Sequence, residues 1–231
     1  MLKPWDNLPN ELKNESVKPY YDKLKNRRYS LLVKRFLDIL LSVFLLIILS
    51  PMFLVLSVAI FIDSPGSPFY LQERVSQYNK VFKIIKFRTM VRNADKIGAH
   101  VTVAEDPRIT RVGSYIRRFR LDEIPQLINV LLGQMTFVGT RPEAIRYVEY
   151  YSKEMMATLL LPAGVTSRTS IEYRNEQELL ANSENADETY TEQILPEKMK
   201  INLAYIKDFS FREDLSIILL TIKKVFLSKS D

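Results

Sequence analysis

Two adjacent carboxylates, Asp122 and Glu123, directly follow five arginines, Arg108, Arg111, Arg117, Arg118 and Arg120, with no acid between Pro107 and Asp122. Forked guanidinium donors and free helix amides both favour oxyanions, so arginines beside a helix start make a phosphate site. A carboxylate placed there has two chemical uses: it ligates Mg²⁺ through oxygen, or it attacks phosphorus to form an acyl phosphate. A structural use competes with both, because acids at the first positions of a helix satisfy free amides and complement its dipole. The run DEIPQLINVLL predicts a helix capped by Asp122, with Ile124, Leu127, Ile128, Leu131 and Leu132 on one apolar face, Pro125 in the first turn and Gly133 as the stop. A second oxyanion candidate is Val138–Glu143, where Gly139 and Pro142 enforce a turn that presents Arg141. Two more cations, Lys86 and Arg88, stand at the end of a strand-like run in Lys86-Phe87-Arg88-Thr89-Met90.

The rest of the composition narrows the chemistry by exclusion. The 231 residues include no Cys and one His, so no thiolate nucleophile, disulfide or Cys/His zinc site is available, and a Ser-His-Asp triad could use only His100. With six Gly there is neither a GxGxxG nor a GxxxxGK[ST] loop. Covalent or acid/base chemistry falls to carboxylates, Lys, Tyr or hydroxyls. The 33 Lys and Arg against 27 Asp and Glu give a formal charge of +6, which suits an anionic partner such as a nucleic acid, a phosphorylated substrate or an anionic membrane face.

From Phe36 to Ile62 the chain is apolar apart from one charge, Asp38. This exceeds the ~20 residues needed to span a bilayer, and the polar stretch before it is too long for a cleaved signal peptide. Ser50-Pro51 divides the run into arms that each reach only ~16 to 22 Å, too short to cross ~30 Å of hydrocarbon alone. Lys34 and Arg35 lie before it and Arg74, Lys80, Lys83, Lys86 and Arg88 after it, so cationic residues crowd both ends. A single tilted span and a hairpin that enters and leaves by one face are both open, and the symmetric basic flanks suit the hairpin.

After the turn residues 63–68, Phe69–Gln72 and Val81–Arg88 predict a hairpin closed near Tyr78-Asn79-Lys80. Residues 91–107, with His100 among them, read as loop. Helices are expected over 143–160, 197–206 and 215–227, with an acidic polar stretch over 176–192. The last helix, with Lys223-Lys224, suits either the core or a bilayer surface.

In their order, KRFLDILLS (34–42), Ser50-Pro51, DSPGSPFYLQERV (63–75), FKIIKFRTM (82–90), DPRITRVGSYIRR (106–118), LDEIPQLINVLLGQMTFVGTRPE (121–143) and PAGVTS (162–167) resemble the bacterial sugar transferases of the monotopic phosphoglycosyl transferase family. The resemblance covers roughly residues 30–225. It implies an α/β, mostly helical fold in which a re-entrant membrane helix, broken at Ser50-Pro51, carries a compact catalytic domain with interfacial amphipathic helices. The parts would be an N-terminal extension (1–33), the membrane hairpin (34–62) and the catalytic domain (63–231).

The implied reaction moves a sugar 1-phosphate from a UDP-sugar to polyprenyl phosphate, releases UMP and requires Mg²⁺. By resemblance Asp122 is the nucleophile that forms a covalent phosphosugar intermediate, and Glu123 is its partner near the metal. Arg141 and Lys86 grip phosphate, with Arg88, Arg117 and Asn202 as further substrate contacts. The implied setting is the cytoplasmic face of a bacterial inner membrane, with anionic inner-leaflet lipid as a partner, no nucleic acid, and a homo-oligomer left open. The chain departs from the family pattern at Asn202, where many members carry Asp, and at Gly164–Arg168. Two alternatives remain: a membrane-anchored basic binding module without catalysis, and a metal-dependent glycosyltransferase that forms no covalent intermediate.

Overall fold

The computed structural model describes residues 2–94, 106–173, 176–181 and 185–227. His100 and most of the loop expected over 91–107 lie outside the described residues. Residues 2–26 are part of the body of the protein. Short 3₁₀ turns at Trp5–Asn7 and Asn10–Leu12 lead into α1 (Lys18–Asn26), and Leu2, Leu8, Leu12, Val17, Tyr21 and Leu24 are buried in the main core with Leu159, Leu160, Ile206 and Phe209. The boundary placed at residue 33 therefore marks no gap in packing.

The apolar run forms the centre of α2 (Arg28–Asp63), 36 residues long with a mean hydropathy of 2.9 over its most apolar window. Phe36, Leu40, Phe44, Ile47, Leu54, Phe61 and Ile62 all point outward and are exposed. The expected break at Ser50-Pro51 is not an interruption of the helix, since helical residues continue on both sides of Pro51. Pro51 has no amide for the Ile47 carbonyl, and the Ser50 hydroxyl donates to that carbonyl at 2.7 Å instead. Both arms of α2 touch the rest of the protein. Before Pro51, Lys34 donates to Asp214 at 2.5 Å, Asp38 accepts from the Thr136 hydroxyl at 2.7 Å, and Arg35 donates to the carbonyls of Val130 and Leu131. After it, Phe53, Leu56 and Ile60 pack with Phe87 and Ile116.

The expected hairpin is present. β1 (Phe69–Ser76) and β2 (Lys80–Phe87) pair antiparallel, Phe69 opposite Phe87 and Ser76 opposite Lys80, and Tyr78 and Asn79 turn the chain at φ 62 and 58°. Next come α3 (Arg111–Arg118), a 3₁₀ turn at Leu121–Glu123, α4 (Gln126–Leu131) and β3 (Met135–Val138). α5 (Ile145–Val148) and a 3₁₀ segment, Met155–Leu160, precede β4 (Ala163–Thr166), which pairs parallel to β3. The chain ends in α6 (Arg168–Glu172), α7 (Glu176–Ala181), α8 (Ala186–Thr189), a π turn at Tyr190–Ile194, α9 (Leu195–Lys207) and α10 (Phe211–Leu227). The class is thus mostly helical α/β, with two small two-stranded sheets among the described residues.

Two expected helices differ. The one drawn from Asp122 starts at Gln126, because Pro125 offers no amide to the Leu121 carbonyl. That carbonyl accepts from Ile124 three residues on, at 3.2 Å, and the Asp-Glu pair sits in a separate tight turn. Over 143–160, the amides of Tyr147, Tyr150 and Tyr151 likewise bond three residues back, so α5 is short and no continuous helix forms. α9 and α10 fall where expected. Asp214 and Ile217 on α10 face the core, while Leu215, Leu219 and Ile222 face outward.

Lys34 and Asp214 are both about a tenth exposed, and Tyr205 also donates to Asp214. Lys34→Met is expected to cost about 3–5 kcal/mol by leaving a buried carboxylate without its cation. The double variant Lys34→Met/Asp214→Leu should lose less than Lys34→Met alone, as read from chemical unfolding of the detergent-solubilised protein.

Candidate active site

Three elements deliver cations to one oxygen. Lys86 is the penultimate residue of β2, Glu123 closes the turn after α3, and Arg141 lies in the loop between β3 and α5. Glu123 Oε1 accepts from Arg141 Nη2 at 2.6 Å and from Lys86 Nζ at 3.5 Å, and pairs with Arg120 Nη1 at 3.9 Å. Each element is held there by local chemistry. Asn129, fully buried on α4, takes the place of a third strand on β2: its side chain accepts from the Ile85 amide and donates to the Lys83 carbonyl. This fixes Lys86 against the turn. Arg120 adopts φ 57°, a left-handed conformation costly for a residue with a side chain, and it reverses the chain between α3 and the turn. Behind Arg141, Gly139 and Gly164 touch backbone to backbone: a Cβ on Gly164 would lie 2.2 Å from the Gly139 nitrogen.

The two carboxylates differ sharply. Glu123 is 14% exposed, and Arg141 and Lys86 hold its carboxyl well below the usual carboxylate range against the opposing effect of burial. Asp122 is part-buried and makes no side-chain hydrogen bond or salt bridge among the described residues. Burial and the neighbouring Glu123 charge push its carboxyl upward, while Lys86, Arg117 and Arg120 pull it back. Burial also pulls the Lys86 ammonium down, opposed by Glu123. The Arg141 side chain keeps 37% exposure, so it can meet a ligand while bound to Glu123.

The remaining candidates divide. Arg117 lies near the carboxylate pair: its Nε donates to Thr89 at 2.9 Å and its charge bears on Asp122. Gly113 lets α3 lie on Thr89, since a Cβ there would meet the Thr89 carbonyl at 2.1 Å. Arg88 turns away. It donates to the Ser64 carbonyl and lies over Gly66, bracing the turn after α2 rather than facing Asp122. Asn202 is 4% exposed inside α9, bonded to Thr169 and Met199, and so is a packing residue in this structure. Sequence reasoning missed the positioning roles of Asn129 and Arg120. Asn129 had one visible signal, a polar residue in the otherwise apolar run LINVLL.

Among the described residues no group of three or more acidic or His side chains forms that could hold a metal ion. The donors at hand are the unpaired Asp122 carboxylate and Glu123 Oε2, all the recorded cation contacts being on Oε1. That set fits Mg²⁺, which takes one or two carboxylates and draws its other ligands from phosphate and water.

Asp122, without a side-chain partner among the described residues, thus lies among Lys86, Arg117 and Arg120, and the long outward-facing apolar helix α2 is of a length that fits membrane association. The family described as bacterial sugar transferase matches residues 29–228, and the chain belongs to it. It is 40% identical over 149 residues to a Bacillus subtilis (strain 168) protein provisionally named undecaprenyl-phosphate N-acetylgalactosaminyl 1-phosphate transferase, covering 64% of this chain and 83% of that protein. Identity is 34% over 172 residues to the UDP-N-acetylgalactosamine-undecaprenyl-phosphate N-acetylgalactosaminephosphotransferase of Aeromonas hydrophila, covering 73% and 38%. It is 34% over 180 residues to the UDP-glucose:undecaprenyl-phosphate glucose-1-phosphate transferase of Escherichia coli (strain K12), covering 76% and 36%. The chain thus spans less than half the length of the last two.

Glu123→Gln should lower stability at neutral pH by about 2 kcal/mol, since it removes the counter-charge from Lys86 and Arg141. Because the folded carboxyl titrates below its unfolded value, this contribution is present above about pH 4.3 and is lost as pH falls further. Urea unfolding of both proteins across pH 3 to 7 should show the two curves converge at the acid end.

Proposed function

We propose that the protein transfers a sugar 1-phosphate from a UDP-sugar to polyprenyl phosphate, the undecaprenyl lipid of its relatives, at the cytoplasmic face of a bacterial inner membrane, as the first step in assembling a membrane glycan. The observation that carries this reading is the division of labour between the two carboxylates: Glu123 is consumed in holding three cations, which leaves Asp122 unpaired among them. A carboxylate approaching a diphosphate is repelled unless positive charge surrounds the phosphoryl oxygens. Arg141 and Lys86 supply that charge from one side and Arg117 from another.

In the first step an Asp122 carboxylate oxygen attacks the β-phosphorus of the UDP-sugar. The bond from that phosphorus to the bridging oxygen breaks, UMP leaves, and the sugar phosphate stays on Asp122. In the second, an oxygen of polyprenyl phosphate attacks the same phosphorus. The acyl phosphate bond breaks, which yields polyprenyl-diphosphate-sugar and restores the carboxylate. Mg²⁺ held between Asp122, Glu123 and the substrate would neutralise diphosphate charge. The raised Asp122 carboxyl bears on pH, since the attacking form is the ionised one and activity should rise with pH through its titration.

A re-entrant placement of α2 is supported by its contacts. On a straight helix Lys34 and Ile60 would be ~39 Å apart, more than the ~30 Å of hydrocarbon, yet both rest on the same domain. A spanning helix would require that domain on both faces of the bilayer, whereas a hairpin bent at Ser50-Pro51 requires it on one.

Purified protein with labelled UDP-sugar and Mg²⁺, and no lipid acceptor, is expected to become covalently labelled and to release UMP. Asp122→Asn should remove the label and lower turnover at least ~10³-fold. Release of UDP in place of UMP would sink the covalent mechanism in favour of direct glycosyl transfer. Since the chain has no native Cys, Ser16→Cys and Ser67→Cys provide clean topology probes at exposed positions. Both should react with an impermeant maleimide only from the cytoplasmic side, and reaction from opposite sides would refute the hairpin.

A further inference from the structure

The loop carrying Arg141 is fastened a second time, two residues on, by a chain of buried polar groups that the reaction itself does not use. The Glu143 carbonyl accepts from the Val75 amide at 2.9 Å, which ties the loop to β1. Its carboxylate accepts from its neighbour's amide at Ala144, lies 3.9 Å from Arg74, and accepts from the Tyr190 hydroxyl at 2.6 Å. Tyr190, 4% exposed, in turn accepts from Lys198 at 3.2 Å, and Lys198, 7% exposed, also donates to Glu176 at 2.8 Å. Arg74 is thus attracted by Glu143 and repelled by Arg141, and the charge of Glu176, beyond Lys198, also bears on Arg141. Pro142, with its fixed φ, joins Arg141 to this anchor and leaves little slack between them.

We infer that Lys198, Tyr190 and Glu143 form a positioning relay that holds Arg141 in the orientation that grips the substrate phosphate. The inference rests on the function proposed above. Tyr190 is the link that matters, because its single O–H serves Glu143 while its oxygen receives Lys198. Burial and the Glu143 charge keep the phenol protonated far above neutral pH, so it remains a donor throughout the working range. Tyr190→Phe keeps the ring and its 4.4 Å contact with Tyr147 but leaves Glu143 Oε2 without its donor.

The test is a double-mutant cycle on UDP-sugar affinity, measured calorimetrically with Mg²⁺ on full-length protein in detergent, with Asp122→Asn present throughout so that no phosphosugar is transferred. Tyr190→Phe is expected to weaken binding about tenfold in the Arg141 background and less than twofold in Arg141→Gln, because a residue that acts through Arg141 has nothing left to position. Lys198→Met should show the same dependence to a smaller degree, and it provides a second route should Tyr190→Phe fail to fold. Tyr147→Phe, which leaves the relay intact, should bind as the parent does. Equal losses in both backgrounds would overturn the relay while leaving the proposed function standing. A parent protein that binds no UDP-sugar would remove both.

Discussion

The side-chain oxygen of Glu123 is where the site is assembled. Lys86 and Arg141 come from elements far apart in sequence, and in each other's presence they repel; burial makes that repulsion worse by weakening solvent screening. A single carboxylate between them turns the repulsion into attraction and simultaneously fixes strand β2, the turn after α3 and the loop after β3 in one arrangement. Asp122 then inherits a positive surrounding without being neutralised by it, since the best hydrogen-bonding geometry has gone to its neighbour. Two adjacent residues of like charge thus reach opposite conditions, one locked and one available.

The membrane element is oriented by a similar use of polarity. An apolar helix gains little by trading lipid contacts for protein contacts, so its rotation and depth must be set by polar groups and close packing. On α2 these are Lys34, Arg35 and Asp38 before the proline and the Phe53, Leu56 and Ile60 face after it. The Phe53 ring meets that of Phe87, the residue after Lys86, at a tilt with centroids 5.2 Å apart, so the second arm rests directly on the strand that carries Lys86. The hydroxyl of Ser50 satisfies the carbonyl that Pro51 orphans, which explains why a serine suits the position before a proline in an apolar setting.

Much of the site was legible from residue type and order. Asp122, Glu123, Lys86, Arg117 and Arg141 stood out as carboxylates and cations beside turn residues, and the structure gathers all five. Arg88 stood out by the same criteria and its side chain went elsewhere, because a sequence shows that a cation ends a strand but not which way its side chain leaves; Asn202 came only from the resemblance and lies buried within α9. The helix start at Asp122 was misplaced for a related reason. Acid before Pro is the signature of a helix N-terminus, yet the pairing of Leu121 with Ile124 makes the Asp-Glu turn a separate element. The 2–26 segment was opaque because its six buried residues have no regular period to mark them as core.

The sequence by itself determined the chemistry available to this protein. Without Cys and with one His, it left covalent and acid/base chemistry to carboxylates, Lys, Tyr or hydroxyls, and it carries one apolar run long enough to suit a bilayer. Tertiary structure alone decided which carboxylate is free. Asp122 and Glu123 are adjacent in sequence and alike in type, and no local property separates them. Their difference arises from where β2 and the β3–α5 loop place Lys86 and Arg141, and charge interactions over a few ångströms depend on position in space rather than on order along the chain.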